Sequence, residues 1–129
     1  MHLETPSSNI TLQPNGIVVL TTIEGWDQPD TLEGAKANIA ALQQAIGGQR
    51  RGLMSHLPNT HIPKEVLEYY KTANPGQVAT ALVTSSFGAK VIGNLYMKVV
   101  GKSQKEPIKL FTKETEAEAW LLKIMAQEV

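Results

Sequence analysis

Cysteine is absent from all 129 residues, which removes disulfides, thiolate nucleophiles, iron–sulfur clusters and cysteine-ligated zinc together. That absence agrees with a cytoplasmic protein. An excess of either charge is missing as well, because 12 Lys and Arg balance 12 Asp and Glu. A chain that lives off nucleic-acid phosphates carries a basic surplus, so no nucleic-acid partner is expected. Zero net charge also eases self-association by removing long-range repulsion between copies. No apolar run approaches the ~20 residues of a membrane span. The longest, residues 91–100, is broken by Gly93, Asn94 and Lys98. The N-terminus lacks the basic and then apolar layout of a signal peptide, and no membrane partner is expected.

What is present is an ordinary apolar fraction, 42%, in a length that fits one domain over residues 1–129, with residues 1–8 as a frayed tail. Ile10 and Leu12 alternate with polar neighbours as a short edge strand does, and Pro14-Asn15-Gly16 turns the chain into a β-branched run over residues 17–23. Asp30 and Glu33 make a capping-box-like pair ahead of a helix whose apolar stripe is Leu32, Ala35, Ile39, Leu42 and Ile46. Residues 52–57 suit a buried strand. Pro63 opens a helix that carries Val66, Leu67 and Tyr70 inward, and residues 78–84 read as a strand buried on both faces. Ser85 or Ser86 caps a third helix that runs to Gly101. Its interior holds Gly88 and Gly93, each costing roughly 1 kcal/mol against Ala, so something approaches the backbone there. Residues 107–111 form a last strand, Thr112 caps, and Ala117, Trp120, Leu121 and Ile124 stripe the closing helix.

The order is β-β-α-β-α-β-α-β-α: an α/β domain with a single mixed, mostly parallel five-stranded sheet, an N-terminal hairpin and four helices. Together with the ending Pro107-Ile108-Lys109-Leu110-Phe111-Thr112 and Glu118-Ala119-Trp120-Leu121, this order resembles the STAS-like (anti-sigma-factor-antagonist-like) superfamily, in an uncharacterised bacterial branch. The resemblance implies a cytoplasmic, non-catalytic protein-interaction or regulatory module. Regulatory members place a phosphorylatable serine at the start of the second helix, where this chain has Ile62-Pro63-Lys64-Glu65-Val66. No hydroxyl stands there, so their phosphorylation switch is not carried over.

Ser55, His56, Thr60 and His61 cluster in sequence at the end of the third of these strands, with Thr84, Ser85 and Ser86 after the fourth. If the strands are neighbours, these residues form a polar pocket near a helix N-terminus, the crevice that open α/β sheets offer to ligands. The plain alternative is that the hydroxyls cap helices and the histidines are solvated. A metal would need a third ligand beside His56 and His61, yet His2 lies far off and no carboxylate stands between them, so no metal and no cofactor are expected. No Gly-x-Ser-x-Gly elbow exposes a serine, and Gly47-Gly48-Gln49-Arg50-Arg51 lacks the spacing of a phosphate loop.

The third helix is apolar nearly all round. Val91, Ile92, Leu95, Tyr96, Met97, Val99 and Val100 exceed the single stripe that a sheet can cover. They point either to a homodimer surface or hydrophobic groove, with Tyr96 and Met97 at its outer edge, or to deep burial within the domain. Two functional expectations follow: an interaction module with an unidentified protein partner, and a small-ligand-binding protein or enzyme working at His56, His61 and Ser85.

Overall fold

Along β3 (Val18–Thr22), β4 (Leu53–His56) and β5 (Thr80–Val83) successive side chains point to opposite faces, and both faces are apolar at their buried ends. Such strands require cover on both sides. The computed structural model, which describes residues 1–127, supplies it with helices in two unequal layers around one sheet.

Strand order equals chain order, β1-β2-β3-β4-β5-β6. The antiparallel part is β1 (His2–Glu4), β2 (Ser8–Leu12) and β3, while β3, β4, β5 and β6 (Ile108–Phe111) run parallel. The mixed, mostly parallel α/β architecture with four helices is therefore as expected, but the sheet has six strands, not five. The extra one lies within residues 1–8, which are not a frayed tail. Leu3 pairs with Ile10, the Leu12 amide donates to the Met1 carbonyl at 2.9 Å, and Ser7 and Ser8 are buried. Three residues with Leu3 as their one apolar side chain are too few for a period to emerge. As a result β2 is an interior strand rather than an edge.

Three parallel crossovers joining immediate neighbours, all of the same hand, must lie on the same face. Accordingly α1 (Leu32–Ile46), α2 (Lys64–Thr72) and α3 (Phe87–Val99) line up side by side, and Val18 and Leu53 face Ile39, Leu42 and Ile46 of α1. The opposite face is covered by α4 (Glu114–Met125), whose Ala117 and Leu121 meet Ile17, Val19, Met54 and Ala81.

Several helix boundaries differ by one residue from expectation. The N-cap of α1 is Thr31, whose hydroxyl accepts from the Gly34 amide at 3.0 Å; Asp30 is left free for another role. Pro63 occupies the N-cap of α2 rather than its first turn. Lys113, not Thr112, precedes α4 and makes no side-chain cap. At α3 the hydroxyl that caps is that of Ser86, accepting from Ala89 at 3.1 Å. The close approach to the glycines of α3 is real. A Cβ on Gly93 would lie 2.9 Å from Leu110 and 3.0 Å from Thr84, so this helix rests its backbone on the sheet.

Candidate functional site

The crevice favoured by doubly wound sheets arises where strand order reverses. Here the order never reverses, and the polar residues at the strand ends separate. Ser86 is occupied as a cap, and Ser85 and His61 are exposed. His61 contributes only its carbonyl, which accepts from the Asp30 amide at 3.2 Å. The His56 imidazole stands 3.7 Å from the Glu114 carboxylate at the start of α4. Thr84 is buried, with its hydroxyl 3.4 Å from the Phe111 carbonyl, and Thr60 has a buried hydroxyl without a partner. His56 and His61 therefore do not converge. No group of three His, Asp or Glu that could hold a metal occurs among the described residues.

The concave feature lies elsewhere, beneath the helices. A cavity of about 80 Å³ is floored by Leu20, Leu53, Ser55 and Leu82 of the sheet and walled by Asn38, Ile39 and Leu42 of α1, Tyr70 of α2 and Tyr96 of α3. Of the residues expected at a ligand pocket, Ser55 and His56 line it, and Thr60, His61, Thr84, Ser85 and Ser86 do not.

Its polar groups are incompletely paired. Thr5 donates to the Asn38 carboxamide oxygen at 2.6 Å, and Asn38 in turn donates to the Tyr70 hydroxyl at 3.4 Å. Gln77, 6% exposed, donates to the Thr80 hydroxyl at 2.9 Å, but its carboxamide oxygen is buried with no partner. An unmet buried acceptor costs about 1–3 kcal/mol. Asp30 is half-buried, and burial raises its carboxyl above the ordinary 3.8. None of the ion pairs among the described residues includes it. Tyr70 is pushed up to about 12 by burial first, with the Asn38 hydrogen bond opposing and the charges of Asp30 and Tyr69 adding. Burial raises Tyr96 too. The two rings lie 6.1 Å apart at 52°, forming one aromatic wall. The site thus offers hydrogen-bond acceptors in excess, set in a largely apolar frame.

Sequence reasoning missed most of these residues. Asn38 interrupts the α1 stripe between Ala35 and Leu42, and that intrusion of an amide on an apolar face was the available signal. Gln77 carried none, because a loop glutamine is ordinarily solvated.

Of the apolar residues on α3, Ile92, Tyr96, Val99 and Val100 pack inward beside α2. Tyr96 is therefore a cavity wall rather than an outer edge, and Met97 folds over Gly101, where an added Cβ would lie 3.2 Å from its terminal methyl. Val91 and Leu95 remain on the surface, joined by Phe87.

No curated protein and no solved structure matches this chain. The family described as Domain of unknown function (DUF7793) matches residues 10–125. That span runs from within β2 to the last residue of α4 and takes in Asp30, Asn38, Tyr70, Gln77 and Tyr96, so the chain belongs to that family.

Proposed function

We propose that this protein is a cytoplasmic, STAS-like, non-catalytic module that binds a small polar molecule in the cavity between its sheet and its three-helix layer. The observation that carries the reading is the buried Gln77 carboxamide oxygen, which lacks a partner in a cavity that also receives the Asp30 carboxyl and the Tyr70 and Tyr96 rings. An acceptor kept unmet in a core is a cost with no structural return, and a ligand that donates to it removes the cost. Size narrows the choice. The 80 Å³ is about half the ~150 Å³ of an engineered cavity that admits benzene, which favours a molecule of few non-hydrogen atoms bearing N–H or O–H groups.

Chemistry on such a molecule is not part of the reading: Ser55 and His56 both line the cavity, but no hydrogen bond joins them among the described residues, and the His56 imidazole stands beside the Glu114 carboxylate. The phosphorylation switch of regulatory STAS-like proteins is left out as well: α2 opens with Pro63, Lys64 and Glu65, and no hydroxyl sits in its first turn. A signalling role would instead run through occupancy, because α1, α2 and α3 all wall the cavity and a ligand holds them together.

Thermal-shift and ligand-observed NMR with a panel of small amides, amines, ureas and diols test this. Binding by at least one class is expected for the wild type. Gln77→Leu, which removes the unmet acceptor, should fold with a melting temperature no lower than wild type and lose that binding. A panel in which nothing binds, or a crystal structure with only ordered water bridging Gln77, Asp30 and Asn38, would refute the reading.

A further inference from the structure

The neutral total conceals a division. Residues 87–113, which comprise α3, the turn after it and β6, hold six lysines, Lys90, Lys98, Lys102, Lys105, Lys109 and Lys113, against one acid, Glu106. The remainder of the chain is correspondingly acidic. Among the four helices α3 alone carries no Asp or Glu. On its outward side three apolar residues follow one another at helical spacing: Phe87, 83% exposed, Val91, 53%, and Leu95, 40%. The exposed Lys90 and Lys98 stand on the same side of the helix. Lys109 lies across a groove shared with Lys90 and Asn94.

We propose that, against the expectation of no membrane partner, this face of α3 is a peripheral docking surface for an anionic lipid bilayer. Phe87, Val91 and Leu95 enter the boundary between headgroups and acyl chains while Lys90 and Lys98 meet lipid phosphates and carboxylates. Charge selects the partner class: a basic, acid-free helix requires an anionic surface. Shape selects the bilayer within that class. The apolar residues form a convex crest, whereas a bound peptide helix needs a hydrophobic groove, and the adjoining groove sets only Leu110 and Phe111 among six polar or charged residues. A two-fold pairing of copies through this crest would set Lys90 and Lys98 against themselves. Nucleic acid would leave Val91 and Leu95 with no apolar counterpart. A helix lying in the interface, with apolar residues down and lysine stems flanking them, meets both requirements.

Co-sedimentation of the full chain with phosphatidylcholine vesicles, with and without phosphatidylserine, is the test. Binding to the anionic vesicles only, weakened by added salt, is expected. Lys90→Glu with Lys98→Glu should reduce it by about tenfold or more, and Phe87→Ser by about fivefold. Lys36→Glu, an exposed lysine of α1, should leave binding unchanged. Circular dichroism and melting curves establish that each variant is folded, which is expected because all these positions are exposed. The proposal is overturned if anionic vesicles fail to bind the wild type at low salt. It is overturned equally if Lys36→Glu weakens binding as much as the α3 variants do, or if an acidic amphipathic peptide binds this face while vesicles do not.

Discussion

At the scale of single residues, the cavity shows how burial and chemistry compete. Asp30 was legible in the sequence only as a helix cap, because the residue after it, Thr31, is also a capping type and the choice between them depends on local backbone geometry. Thr31 takes the amide of Gly34, and the Asp30 carboxyl goes to the cavity. Desolvation raises its folded pKa above the ordinary 3.8, which fixes the sign of its effect on stability. Relative stability from this group is full below 3.8, where both states are protonated, and it is lost as pH rises through the raised folded value. At neutral pH the ionised carboxylate therefore burdens the fold. Asp30→Asn is expected to raise the melting temperature near neutral pH by up to about 2 °C, an allowance reduced for solvent screening. The gain should vanish in melts carried out below 3.8. A pH-independent change would mean that the amide acts through packing instead.

At the scale of elements, patterning exposed most of the architecture and placement did the rest. The strands β3 to β6 and all four helices follow from apolar runs and stripes that a reader can count, because each has four or more residues under one period. Periodicity could not reveal β1, and it could not tell which of the many apolar residues on α3 faces inward, since that depends on the helix's rotation against the sheet. Its glycines decide the rotation. Gly93 is the point of closest approach, where an added Cβ would meet Leu110, Thr84 and Leu57, while one on Gly88 would meet only Asn59, 3.1 Å away. With Gly93 down, Tyr96 and Val100 are carried inward and Phe87, Val91 and Leu95 outward. The cavity was less legible than the helix, because it is assembled from one or two residues of each of several elements distant in sequence. The two glycines should respond differently to alanine. Better helix propensity is worth about 1 kcal/mol at either position. At Gly93 the added methyl must displace three neighbours, at a cost of about 1–3 kcal/mol. Gly93→Ala should therefore lower stability in urea by about 1 kcal/mol, whereas Gly88→Ala should be neutral or mildly stabilising. Equal effects would show that α3 is not seated on its backbone.

At the scale of the whole molecule, the three-helix layer and the sheet meet around two phenols, so the ionisation of those phenols reports on the integrity of the domain. Tyr70 and Tyr96 both line the cavity, and Tyr70 also touches α1 through Asn38 and packs at a tilt against Tyr69, with ring centroids 6.1 Å apart. Burial holds Tyr70 at about 12 against an ordinary 10.0 and raises Tyr96 as well. A raised folded pKa means that the native state keeps its proton after the unfolded state has lost it. The stability tied to each phenol is thus intact below 10.0 and drains away as pH climbs through the raised folded value. Alkaline unfolding should consequently be cooperative, with the phenolate absorbance of these two residues appearing together with the loss of helical circular dichroism rather than ahead of it. Tyr96→Phe removes one of the coupled ionisations, so its stability should fall less steeply with pH above 10.0 than that of the wild type. Were both phenols to ionise while the helical signal stayed intact, the interior around the cavity would be open to hydroxide, and the sheet and its three-helix layer could not be enclosing the site as described.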